Sequence, residues 1–227
     1  SFTYIATTEV IALLGLKPVF VEVNQETFCM DASKLEAAIT PRTKAIVPVH
    51  LYGQAADMNA IMAIAKKHKL FVIEDNAQAI GSDYHLLDGS LVKTGTIGDI
   101  GCTSFFPSKN LGCYGDGGAI CTNDDLLAEK LRMIANHGQS KRYYHDVVGC
   151  NSRLDNIQAA VLRIKLRQLD NYIDARREVA DFYDAFFGAI EGVKIPFRAD
   201  DSKHVFHQYT LTLDGHNRDG LNEFLAS

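Results

Sequence analysis

Between Pro18 and Asp75 the chain alternates strand-like and helix-like segments joined by short connections, and this alternation restricts the fold more than any other feature. Residues 19–23 follow a proline and read as a strand. Residues 32–39 read as a short helix with Asp31 as its N-cap. Residues 43–49 are β-branched and apolar, as expected of a buried strand. In residues 57–67, Met58, Ile61, Met62 and Ala65 recur at three- and four-residue spacing, which predicts a helix. Residues 70–73 form a third apolar strand that runs into Glu74 and Asp75. Short connections between alternating elements require crossovers, hence a mainly parallel sheet covered by helices: an α/β fold.

Further along, two glycine-rich runs, 95–101 and 112–118, bracket the segment 102–110. Helical patterns then cover 124–136, with Leu126, Leu127, Lys130, Leu131 and Ile134 on one face, followed by 154–169 and 171–187. Residues 205–213 read as a strand and 220–227 as a helix. The long helical region near 166–172 divides the chain into a large domain, 1–168, and the start of a smaller one, 169–227. No internal repeat or low-complexity tract is present.

Composition narrows the function. Hydrophobic residues make up 47% and charged residues 22%, enough apolar material to build a core. With 23 Lys and Arg against 28 Asp and Glu the net charge is −5, and the longest basic cluster is Lys141-Arg142. Nucleic acid is therefore not the expected partner. No apolar run approaches the roughly 20 residues that span a bilayer, so no membrane partner is expected. The five cysteines are odd in number, widely spaced and free of any CxxC pair, which fits reduced thiols and a cytoplasmic setting. The eight histidines include no HExxH, and no metal site is expected. The sequence opens at Ser1 without a methionine and already reads as ordered there, so a preceding segment is expected.

Asp75 closes a buried strand, and in open α/β sheets ligands sit beyond the carboxyl ends of strands. A carboxylate there faces a ligand cation or caps a turn. Gln78, three residues on, can add a polar contact on the same side. Lys109 lies among Phe105, Phe106, Pro107 and Leu111, just before the second glycine run. Most lysines are solvated surface charges; one in an apolar setting has a lowered pKa and can act as a nucleophile toward a carbonyl. Ser104 can offer a hydroxyl to an anion. The glycine spacings match neither GxGxxG nor a Walker A loop, so a dinucleotide-binding or P-loop reading has no support. An Asp ending a strand, with Ser and Lys before glycines, suggests a pyridoxal phosphate site. There the lysine would join the cofactor aldehyde, the aspartate would keep the pyridine nitrogen protonated, and hydroxyls and backbone N–H groups would hold the phosphate.

The blocks SFTYIAT (1–7), PVHLYGQ (48–54), EDNAQ (74–78), SFFPSKNLG (104–112), YGDGG (114–118) and NSRLDNIQAA (151–160) resemble the DegT/DnrJ-type sugar aminotransferases, a branch of fold-type I pyridoxal phosphate enzymes. The resemblance runs from Ser1 to about residue 183. It implies a three-layer α/β/α large domain followed by part of a smaller α+β domain. By resemblance, Lys109 is the Schiff-base lysine, Asp75 the partner of the pyridine nitrogen, and Gln78 a cofactor contact beside it. Ser104 is the phosphate-binding hydroxyl, and Tyr4 the aromatic ring stacked on the pyridine. Asn151 reaches the phosphate of a neighbouring subunit, which implies a homodimer with shared active sites. Arg153 is a candidate substrate contact, a helix-start salt bridge being the equal alternative.

The implied reaction moves an amino group from a donor, by resemblance glutamate, to a keto nucleotide sugar. SFFPSKNLGCYGDGG with NSRLDNIQAA is most similar to members acting on 3-oxo UDP- or dTDP-sugars, whose products feed surface polysaccharide synthesis. That family extends before Ser1, where a Gly/Ser/Thr loop serves the phosphate, and past Ser227, so the sequence is expected to be part of a longer chain. Rival readings are a related sugar dehydratase, which has His in place of the lysine, another fold-type I enzyme such as a lyase or desulfurase, and a non-catalytic binding or regulatory module that keeps the fold.

Overall fold

The computed structural model describes residues 2–227. In chain order the elements are α1 (Ala6–Leu13), α2 (Ala32–Leu35), β1 (Ala45–Ile46), α3 (Met58–His68), β2 (Phe71–Asp75), β3 (Asp83–His85), β4 (Leu91–Lys93), β5 (Ile100–Ser104) and β6 (Gly118–Cys121). They continue with α4 (Asp125–Ala135), β7 (Gln139–Lys141), β8 (Tyr144–His145), α5 (Asn156–Lys165), α6 (Leu169–Phe187), β9 (Val193–Lys194), β10 (Thr212–Leu213) and α7 (Arg218–Ala226).

The central sheet has the order β1-β2-β5-β6. β1, β2 and β5 run parallel, and β6 returns antiparallel to β5. The crossover from β1 to β2 carries α3, whose Met58, Ile61 and Ala65 are buried at the spacing the sequence shows. Asp57 caps this helix by accepting from the Ala60 N–H at 3.0 Å. The main core forms under it, with Leu35, Ile46, Leu51, Val72 and Tyr84. A second cluster joins Phe105, Leu111, Cys113 and Leu162 to Leu169, Ile173 and Val205, and so ties the lysine-bearing loop to α5, α6 and the segment beyond.

Helix predictions hold closely because helices close their hydrogen bonds locally. Asp31 caps α2 through the Ser33 N–H at 3.0 Å, and the helix ends in a tighter turn over Glu36–Ala38. The helical stretch at 154–169 divides into α5 and a tight turn, Leu166–Gln168, before α6. Asp124 caps α4 by accepting from the Leu126 and Leu127 N–H groups at 2.8 and 3.0 Å. Asp124→Ala removes both bonds, and urea unfolding should show a loss of about 1 kcal/mol with an unchanged denaturant slope.

Strand predictions need correction. Residues 19–23 do not form a strand: the run meets another backbone only near its end, where Val23 bridges to Met30, and Val19 and Phe20 are exposed. The strand expected over 43–49 shortens to β1, with Val49 adding a single parallel bridge to Asp75. The strand expected over 205–213 keeps only β10. Its first part instead folds against the Leu51–Gly53 turn, and Phe206 takes a left-handed φ of 45°. Residues 43–49 run beside β2 with the ladder interrupted between Ile46 and Val49, whereas 19–22 and 205–211 belong to no strand of the structure. All five cysteines are free thiols.

Candidate active site

β2 and β5 are neighbours, and Asp75 at the end of β2 is in register with Cys102 of β5. Ser104 ends β5 two residues further on, and the loop from β5 to β6 carries Lys109. The site thus lies beyond the carboxyl ends of two parallel strands, where the open edge of an α/β sheet leaves a crevice.

Asp75 does not serve as a helix cap. Its Oδ2 accepts from the Thr7 hydroxyl at 2.6 Å and its Oδ1 from the Ala77 N–H at 3.1 Å. Both contacts orient the carboxylate, and among the described residues no cationic side chain is in direct contact with it. Lys109 is half-buried. Burial lowers its pKa below the ordinary lysine value, while the negative charge of Asp75 pulls in the opposite direction. Among the described residues no hydrogen bond or ion pair engages the Lys109 amine.

The backbone beneath the site is held by one buried pair. Glu74 is fully buried, and its carboxylate accepts from the Gly95, Ile97 and Gly98 N–H groups at 2.7, 2.6 and 2.6 Å. His50 Nε2 donates to it at 2.9 Å, because His50 Nδ1 is already the acceptor for the Ala56 N–H at 3.1 Å. Burial opposes the Glu74 charge, yet the His50 contact and the loop N–H groups outweigh it and lower its pKa. The backbone is tied as well, with the His50 N–H donating to the Asp75 carbonyl at 3.0 Å and the Asp75 N–H to the Pro48 carbonyl at 2.9 Å. Gln78 Oε1 accepts from the Tyr52 N–H at 2.6 Å, which leaves its amide N–H groups for a ligand. Tyr52 is left-handed at φ 60° and Gly53 has φ 108°. A Cβ on Gly53 would fall 2.9 Å from the backbone nitrogens of Phe206 and His207, so only glycine fits this close approach.

The glycine loop is braced from α5. Asp155 caps that helix through the Ile157 and Gln158 N–H groups, both at 2.9 Å, and Gln158 Oε1 accepts from the Tyr114 N–H at 2.7 Å. Asp155 and Gln158 of the NSRLDNIQAA block therefore brace the loop that holds Lys109.

The structure brings Asp75, Gln78, Ser104 and Lys109 to one end of the sheet. Ser104 Oγ accepts from the Phe106 N–H at 3.2 Å. Tyr4, 72% exposed, precedes α1. Asn151 and Arg153 are exposed and joined to each other, Arg153 Nε donating to Asn151 Oδ1 at 3.1 Å. Among the described residues neither is hydrogen-bonded to Asp75, Ser104 or Lys109. Sequence reasoning assigned no role to Thr7, Glu74 or His50. The two acceptor–donor pairs they make span 68 and 24 residues, beyond any local pattern. Their one visible signal was membership of the blocks at 1–7, 48–54 and 74–78.

Among the described residues no group of three or more His, Cys, Asp or Glu side chains is placed to hold a metal ion, and no helix is long and apolar enough to cross a membrane.

A mainly parallel α/β sheet carries an oriented aspartate at one strand end and a half-buried lysine in the loop after the neighbouring strand, the arrangement of the fold-type I class. The chain belongs to the DegT/DnrJ/EryC1/StrS aminotransferase family, whose profile matches residues 1–227. It is 52% identical over 227 residues to the "pleiotropic regulatory protein" of Geobacillus stearothermophilus, matching 99% of this chain and 59% of that protein. It is 51% identical over 226 residues to the UDP-2-acetamido-2-deoxy-3-oxo-D-glucuronate aminotransferase of Pseudomonas aeruginosa, matching all of this chain and 61% of that protein. In structure it is similar to S. venezuelae DesV, solved with a ketimine intermediate, at a TM-score of 0.92 and 43% identity, covering 99% of this chain and 58% of that one. The chain therefore spans about three-fifths of the length of the curated relatives it matches.

Proposed function

We propose that the full-length protein is a pyridoxal-phosphate-dependent aminotransferase that converts a keto nucleotide sugar, a 3-oxo UDP- or dTDP-sugar, into the amino sugar with glutamate as donor. The observation that carries this reading is the presence of Asp75 and Lys109 at one end of the sheet: an oriented carboxylate at a strand end and an amine of lowered pKa with no partner among the described residues.

These groups fit pyridoxal phosphate, which supplies an aldehyde that condenses with amines and a protonated pyridine ring that withdraws electrons from the adjoining carbon. Asp75 would hold the proton on the pyridine nitrogen. Lys109 would bind the aldehyde and then, once released by the amino donor, move the proton between the donor carbon and the cofactor carbon. Ser104 and the N–H groups of its loop would take the phosphate, Gln78 an edge of the ring, and Tyr4 a face. Asn151 and Arg153, exposed at the start of the α5 block, suit contacts to a neighbouring subunit's site and to substrate, so the working unit is a homodimer. The division into residues 1–168 and 169–227 and a cytoplasmic location complete the reading. Relatives named for a 3-oxo UDP-sugar and for dTDP-3-amino sugars support the choice of substrate class.

Addition of pyridoxal phosphate to the full-length protein should give a visible absorbance band, and borohydride should trap a pyridoxyl group that mass mapping places on Lys109. A protein that binds the cofactor yet gives no adduct at Lys109 sinks the aminotransferase reading. It would leave the regulatory-module reading, which the name of the Geobacillus relative keeps in view.

A further inference from the structure

Two adjacent threonines in the first turn of α1 use their hydroxyls differently. The Thr8 hydroxyl donates to the Ile5 carbonyl at 3.0 Å, a local bond of the kind that threonines in helices commonly make. The Thr7 hydroxyl instead leaves its own helix and donates to Asp75 Oδ2 at 2.6 Å, 68 residues further along the chain. A carboxylate can only accept, so the single hydroxyl proton of Thr7 is committed to this bond. Its length is that of a charge-assisted O–H···O⁻ contact, about twice as strong as a neutral one.

The same bond decides where α1 sits. The helix buries none of its residues, and Val10, Leu13 and Leu14 are exposed. Among the described residues no other hydrogen bond joins α1 to the sheet. Ahead of the helix, the Phe2 ring lies 5.5 Å from that of Phe28 and 6.4 Å from that of Tyr52, whose N–H donates to Gln78 Oε1. Residues 2–7 therefore form an arm pinned at both ends, by Phe2 beside the residue that Gln78 holds and by Thr7 on Asp75, with Tyr4 between the pins.

At the Asp75 end, the carboxylate has one further contact, the Ala77 N–H on Oδ1 at 3.1 Å. The last torsion of an aspartate is broad, and a bond to one oxygen leaves the other free to swing. Thr7 holds that second oxygen, so the two donors together fix the plane of the carboxylate.

We propose that Thr7 is a positioning residue for Asp75: its hydroxyl fixes the carboxylate plane that meets the pyridine nitrogen and, through the same bond, seats the arm that carries Tyr4. This rests on the aminotransferase reading, in which Asp75 keeps that nitrogen protonated. Thr7 acts through Asp75 and takes no part in the proton transfer itself.

The experiment uses full-length protein carrying Thr7→Val, which keeps the shape and loses the donor, Thr7→Ser, which keeps the donor, and Thr8→Val, which removes the neighbouring hydroxyl as a control. Three quantities are measured: the affinity of the cofactor-free protein for pyridoxal phosphate, the nitrogen NMR shift of ring-labelled pyridoxal phosphate once bound, and the single-turnover rate with the amino donor. Thr7→Val should lose about ten- to hundredfold in rate, the scale of a misplacement by about 1 Å. Its ring-nitrogen signal should move toward the unprotonated position, and its cofactor affinity should fall. Thr7→Ser should stay within about threefold of wild type in rate and affinity, and Thr8→Val within about twofold. Once Asp75→Ala has removed the acceptor, adding Thr7→Val should change cofactor affinity by less than about twofold. Should Thr7→Val not fold, Thr7→Ala, which suits a helix better and equally lacks the donor, takes its place. Should Asp75→Ala bind no cofactor, the serine variant decides: a rate near wild type supports the proposal.

An unchanged rate and nitrogen signal in Thr7→Val overturn the proposal. So does a Thr7→Ser rate as low as that of Thr7→Val, or an equal loss in Thr8→Val, which would report the helix and not the bond. An undiminished loss of affinity in the Asp75→Ala background overturns it as well, since Thr7 would then act apart from the carboxylate. Failure of the wild type to give the Lys109 adduct would instead sink the underlying aminotransferase reading.

Discussion

Lys109→Ala in the full-length protein is expected to lower amino transfer by about a thousandfold or more, while pyridoxal phosphate still binds. The expectation follows from the isolation of the amine. Lys109 makes no hydrogen bond or ion pair among the described residues, so its removal breaks no structural network. Its chain neighbours Asn110 and Leu111 stay anchored by the bond to Val205 and by burial. Stability should therefore change little, and the whole effect should fall on the chemistry. No neighbour can substitute as base: Asp75 is oriented by Thr7 and Ala77, and the His207 pKa is depressed to about 4. Steady-state kinetics with the amino donor and a keto nucleotide sugar measure the loss, and the cofactor's absorbance in the variant checks binding. Turnover within tenfold of wild type would show that another group carries the proton.

The second large effect is on folding. Glu74→Gln should destabilise the protein by about 3–5 kcal/mol in urea unfolding. The Glu74 carboxylate receives three backbone N–H groups and the His50 ring, four donors in all, and is fully buried. A glutamine keeps the shape, but its amide nitrogen turns one of those contacts into donor against donor and leaves buried N–H groups unmet. The consequence should reach the site, because the loop from 95 to 98 leads into β5 and Ser104, and Glu74 adjoins Asp75. The wild type should also show the linked pH dependence. The folded-state pKa of Glu74 is lowered from its ordinary 4.5, so its contribution is fully present above 4.5 and is lost as the pH falls from there through the lower folded value. In Glu74→Gln this part of the acid limb should disappear. Stability within 1 kcal/mol of wild type would show that the loop is held mainly by other contacts.

Most of the helices after residue 30 were legible in the chain, whereas α1 was not read as one. Asp31 caps α2 as its place before the apolar face predicts, and Asp57 and Asp124, read only as the first residues of their helices, prove to cap them, each bonding to a backbone two or three residues ahead. The end of β2 was legible too, and with it the place of Asp75, because an apolar run that closes on a carboxylate marks a strand leaving the core. Lys109 stood out by its phenylalanine neighbours and the glycines after it. The matching blocks carried the family.

Pairing and contact at a distance were decided by the tertiary structure alone. Residues 19–23 and much of 205–213 have the composition of strands and are not strands. A strand's hydrogen bonds belong to a second backbone, and no sequence window contains it. The same holds for Thr7 on Asp75, for Gln158 on Tyr114 and for the Gly53 turn against His207. Each joins residues that no period of 2 or 3.6 relates. The chain by itself determined which chemical groups are available and which helices carry them. The fold decided which of those groups meet, because burial and hydrogen bonding act between neighbours in space, however far apart they lie along the chain.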